Sequence, residues 1–162
     1  MRRVLYLNGM QSRLSRWLRR LGTGLGVVVV LFGVIQLVPY GRTHGNPPTV
    51  MEPLWDSPRT RELAVRACFD CHSNETTWPW YAALAPFSWV VENDVEGARD
   101  TLNFSEWQRP YSLAQESGPS VVRHDMPPYK YRMAHPLANL TQDETIELAR
   151  GLNATVGARG RI

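Results

Sequence analysis

Cys68-Phe69-Asp70-Cys71-His72 sets two thiols and an imidazole within about one and a half turns of helix. Cysteines three residues apart project along one side of a helix, so both sulfurs can reach the two vinyl groups on one edge of a porphyrin and form thioethers. The next residue, His72, then approaches the iron beside the attached edge as the proximal ligand. Other uses of this spacing fit less well. A zinc site needs a second ligand pair at short spacing, yet Cys68 and Cys71 are the only cysteines, and His124 and His135 are too far apart to form one. A thioredoxin-like pair belongs in a βαβ context that this sequence lacks. A disulfide across two intervening residues closes too short a loop to constrain the chain much. The motif predicts one covalently bound haem c.

An iron held by one histidine leaves a sixth position, for which His124, Met126, Met133 and His135 are the downstream candidates. Met126 lies in Asp125-Met126-Pro127-Pro128-Tyr129, where Pro127 restrains the residue before it and two prolines stiffen the loop. A thioether there stabilises reduced iron, and a stiff loop suits electron transfer; the ordinary alternative is a flexible apolar filler. His72 and Met126 are therefore the expected metal ligands, with Pro127 framing the second. Met133 reads as packing, His124 and His135 as surface or hydrogen-bonding residues, and His44 has no distinguishing context. Trp78, Trp80 and Tyr81, grouped around the helix-breaking Pro79, offer flat apolar surfaces for a haem edge, or else ordinary core aromatics.

These residues need elements to hold them. Ser57 before Pro58 is an N-cap and first-turn pair, after which Leu63, Ala64, Ala67, Cys68 and Cys71 recur at helical spacing. Pro86 opens a second helix whose Phe87, Val91, Val95, Ala98 and Leu102 share a face, while Glu92, Asp94, Glu96 and Asp100 read as a solvated side. Ser105 with Gln108 suggests another cap, but Pro110, Gly118 and Pro119 leave 105–124 undivided. Thr141-Gln142-Asp143-Glu144 is a capping box that starts a last helix through Ile146, Leu148, Ala149 and Leu152. No stretch alternates long enough to demand a strand, so the expected fold is all-α: a small cytochrome c-like helical haem domain.

The 162 residues allow one domain and an appendage. Leu21 to Tyr40 is uncharged and long enough to cross a bilayer, and the arginines at 2, 3, 13, 16, 19 and 20 precede it. By the positive-inside bias the N-terminus stays in the cytoplasm and the rest lies on the periplasmic or extracellular side. A cleaved signal peptide fits less well, because its apolar region is usually shorter and no small-x-small site follows. The predicted organisation is a basic N-terminus (1–20), a transmembrane anchor (21–40), a Pro/Gly tether (41–56), a haem-binding domain (57–155) and a flexible tail (156–162). Gly22 and Gly26 also have the small-xxx-small spacing of packed membrane helices, a weak signal. Without the N-terminal arginines, 12 basic and 15 acidic residues remain of the 18 and 15, a net of −3. No basic patch for nucleic acid is left.

The chain resembles the haem-binding-domain family of bacterial membrane-anchored monohaem c-type cytochromes from about Asn46 to Leu152. The likeness rests on Ala67 to Thr76 around the haem motif, on Trp78-Pro79-Trp80-Tyr81, on Ala85-Pro86-Phe87-Ser88-Trp89, on Asn103-Phe104-Ser105-Glu106-Trp107, and on Met126-Pro127-Pro128-Tyr129 with His135-Pro136. The resemblance implies His72 and Met126 as the axial pair and haem attachment outside the cytoplasmic membrane. It departs from relatives in having His124-Asp125 where a Gly-Glu pair often precedes the methionine. The expected role is single-electron transfer rather than enzyme catalysis, with redox proteins or a respiratory or photosynthetic membrane complex as partners and no small-molecule substrate. Two rivals are a sensor or peroxidase-like protein with an open sixth site and distal groups such as Arg123 or His124, and an assembly module with structural haem.

Overall fold

The computed structural model describes the backbone of residues 2–158 and the side chains of residues 16–158; the expectations for the side chains of Arg2, Arg3 and Arg13 and for tail residues 159–162 lie outside these. The chain forms α1 (Arg2–Ile35), α2 (Pro58–Ala67), α3 (Phe69–His72), α4 (Phe87–Thr101), α5 (Ser117–Val122), α6 (Tyr129–Ala134) and α7 (Gln142–Gly157), with short 3-10 turns between some of them. Among the described residues there is no strand, only a single parallel bridge from Met51 to Glu106. The fold is all-α, as expected.

In α1 the segment Arg16–Ile35 holds an 18-residue window with a mean hydropathy of 1.8, none of it buried. At 1.5 Å per residue the segment's 20 residues span about 30 Å, the thickness of a bilayer's hydrocarbon core. By length and composition this helix could cross a membrane. It ends at Ile35, not at Tyr40: the N–H groups of Gln36, Leu37 and Val38 turn back to carbonyls three residues earlier, and Pro39 cannot continue the helix. Gln36 instead grips Ala85, accepting from its N–H (3.0 Å) and donating to its carbonyl (2.9 Å).

Residues 41–56, expected as a tether, are extended but docked along the domain. Gly41, at φ +77, lies so close to the Ser88 carbonyl that any Cβ would overlap it. Further on, Asn46 donates to the Thr76 carbonyl, Asn74 to that of Pro48, and the N–H groups of Val50 and Met51 both to that of Ser105. This strap covers one side of α4, and therefore Glu92 is not solvated as expected: it is 8% exposed and accepts a long hydrogen bond from Thr43 (3.4 Å).

The core lies between α2, α5 and α7. Ser57 caps α2 by accepting from the Thr60 N–H, and Thr60, Leu63, Ala64 and Ala67 form its buried face. Leu148, Ala149 and Leu152 of α7 meet them, and Phe104 stacks between Phe69 and Trp107 at 5.8 and 6.0 Å. The helix ends at Ala67, so α3 is a separate turn rather than a continuation of α2. The undivided stretch 105–124 resolves into turns and α5, whose Gly118 packs directly on Asn153 and the Ala149 carbonyl. The expected capping box is present in full, with Thr141 and Glu144 exchanging hydrogen bonds.

Two outcomes follow. A Cβ at Gly151 would overlap the side chain of Thr60, so Gly151→Ala should destabilise by about 1–3 kcal/mol, read as a lower melting temperature. Arg66 and the Thr141 N–H hold the Glu144 carboxyl at about 2, below its ordinary 4.5. A depressed carboxylate stabilises the fold above the unfolded value, so its contribution should fade as pH falls from about 4.5 to about 2. In Glu144→Gln the melting temperature should vary less across that window.

Candidate cofactor site

The five residues of the cysteine–histidine motif point in different directions. Phe69, 2% exposed, enters the core and fixes the turn to it. Asp70 accepts from the Tyr131 hydroxyl (2.6 Å) and from the Thr77 N–H (2.9 Å) at the cavity's edge. Cys68, Cys71 and His72 border a cavity of about 560 Å³ bounded by α3, α4, α6 and the loops at 79–81 and 126–128. The N–H groups of Cys71 and His72 both donate to the Cys68 carbonyl, the hydrogen bonds that hold this turn.

His72 Nδ1 lies 2.9 Å from the Leu102 carbonyl and 3.2 Å from that of Ala98, both at the end of α4. Carbonyls only accept, so Nδ1 bears the proton and Nε2 keeps its lone pair. Burial lowers the His72 pKa, which favours the neutral ring. Burial also pushes the Cys68 thiol up to about 12 and that of Cys71 up to about 11. Neither is the low-pKa thiolate that a disulfide-exchange enzyme needs. Among the described residues no group of three or more His, Cys, Asp or Glu could hold a bare metal ion. An iron at His72 would need the ring nitrogens of a macrocycle.

Of the expected site residues, the structure brings Cys68, Cys71, His72, Tyr81, Met126 and Pro127 around this one cavity. Trp78 and Trp80 do not line it. Trp78 stacks on His44 at 4.8 Å, and Trp80, 79% exposed, meets only the edge of Tyr81. Met133, expected to pack, is instead exposed on α6. His124 and Arg123 also lie outside the cavity, Arg123 pairing with Asp125 at 2.8 Å. Three features escaped the sequence reading. Phe87, Val91 and Ala98, expected to share a face of α4, line the cavity, where Phe87 also meets the Tyr81 ring at 6.3 Å. His135 lines it too and stacks on Tyr131 at 4.1 Å, a pairing that their four-residue separation could have suggested. Lys130 bridges α6 to Asp94 of α4 at 2.6 Å.

A family model described as a haem-binding domain matches residues 30–154. The chain belongs to the haem-binding domain family. Comparisons with curated proteins and with solved structures return no match. The site of this haem-binding domain suits the group: two neutral thiols on one turn, an imidazole with its lone pair available, and an apolar wall along α4.

The Asp70–Tyr131 hydrogen bond ties α6 and its loop to the motif. Tyr131→Phe should cost about 1.5 kcal/mol. Amide exchange across residues 126–134 should quicken while that of α7 stays unchanged; equal protection in variant and wild type would show the bond to be unimportant.

Proposed function

We propose that this haem-binding domain is a membrane-anchored c-type cytochrome that passes single electrons, with His72 and Met126 as axial ligands. The observation that carries the reading is the His72 tautomer: Nδ1 is engaged by two carbonyls of α4, and Nε2 has no hydrogen-bond partner among the described residues, beside a cavity that both thiols border. When bound, haem supplies an iron that alternates between ferrous and ferric states.

The remaining work belongs to side chains. Cys68 and Cys71 hold the macrocycle through thioethers, which keep it in place whatever the iron's oxidation state. The hydrogen bond from Nδ1 raises the basicity of Nε2 and fixes the ring plane. Phe87, Val91 and Ala98 exclude water along one wall, and Met126 lines the same cavity, where a thioether favours the reduced state. Arg123 and His124 lie away from the cavity, which leaves the peroxidase-like rival without its expected distal groups. In this proposal α1 anchors the chain, the N-terminal arginines keep that end in the cytoplasm, and the haem domain meets redox proteins or a membrane complex on the periplasmic or extracellular side.

Optical spectra of the purified full chain, ferric and ferrous, test the reading. A low-spin spectrum with a far-red methionine-to-iron band, lost in Met126→Ala, and no reaction with carbon monoxide in the wild type are the expected results. A high-spin ferric wild type that binds carbon monoxide readily once reduced would contradict it.

A further inference from the structure

We infer that His135 is a reserve axial ligand, which takes the sixth position on the iron when the Met126 thioether leaves it. The inference rests on the haem reading above and extends it to a residue that the sequence pointed to only as a surface or hydrogen-bonding histidine. His135 lines the same cavity as His72 and Met126. Its Nδ1 lies 3.1 Å from the Tyr131 carbonyl and so donates to it, leaving Nε2 unprotonated and without a hydrogen-bond partner among the described residues. His72 has the same arrangement, with Nδ1 engaged by a backbone carbonyl.

The ring is also held in place. It stacks on Tyr131 at 4.1 Å with the planes 16° apart, and the Tyr131 hydroxyl is anchored on Asp70, between the two cysteines. The carboxylates along the cavity are committed, Asp70 to Tyr131 and Thr77 and Asp94 to Lys130, as are the thiols in the haem reading. Met126 is the displaceable partner, because it sits outside any helix and is 38% exposed. In the exchange the iron–sulfur bond breaks and an iron–nitrogen bond forms. No proton or electron moves, since Nε2 already holds its lone pair. Replacing thioether with imidazole removes the ligand that favours reduced iron, so the exchange converts a high-potential centre to a lower-potential one.

The test uses the haem-loaded full chain in detergent, with absorption and electron paramagnetic resonance of wild type, Met126→Ala and Met126→Ala/His135→Asn. Asparagine can still donate to the Tyr131 carbonyl. Met126→Ala should lose the far-red band yet remain low-spin with a bis-imidazole resonance. The double variant should become high-spin, bind carbon monoxide when reduced, and return to low-spin on adding imidazole, which shows its pocket intact. A Met126→Ala protein that is high-spin and indistinguishable from the double variant overturns the inference while leaving the haem reading standing. A wild type without haem, or without the far-red band, overturns the His72/Met126 reading and this inference with it.

Discussion

The two hydrogen bonds from His72 Nδ1 to the carbonyls that end α4 organise the site. They satisfy acceptors at a helix end and choose the imidazole tautomer. They also tie the short α3 turn to the end of α4, and the Phe104 N–H, donating to the His72 carbonyl, extends the tie to the core aromatics. With Phe69 buried below, α3 has little freedom to rotate. The two cysteines and Nε2 are thereby committed to the same cavity.

That cavity explains an apolar excess the protein core does not absorb. Phe87, Val90 and Val91 stand on the exposed side of α4, and Tyr131 and Ala134 face the same space from α6, an element with no buried residue of its own. A domain of this size buries a limited core, and a flat apolar macrocycle between α4 and α6 would complete it. Asp70–Tyr131 and Asp94–Lys130 then act as side-chain struts that keep α6 over the cavity. The second strut, largely solvated, adds orientation more than stability.

What could be read from the sequence was local. The Ser57 cap, the Thr141–Glu144 box, and the Cys68, Cys71 and His72 grouping depend on neighbours within a turn or so, where residue type and spacing suffice. Features set by distant chain were not legible. Proline and glycine in 41–56 indicate extension, but not that Asn46, Val50 and Met51 find partners on the domain or that Thr43 meets Glu92. A helical apolar period on α4 looks the same whether it lines a packed core or a cavity, so the sequence indicated a shared face but not the cavity beside it. Trp78, Trp80 and Tyr81 are chemically alike at the sequence level, and only the turn following Pro79 decides that Tyr81 alone of the three reaches the cavity.

The central claim is that one macrocycle is bonded to Cys68 and Cys71 in this cavity. Intact-mass measurement of the full chain purified from a host that matures c-type cytochromes, followed by peptide mapping, addresses it most directly. The account predicts a single haem's added mass, located on the peptide holding Cys68 to His72 and retained after acid–acetone extraction. A bare polypeptide mass, or haem that the solvent removes, would contradict it.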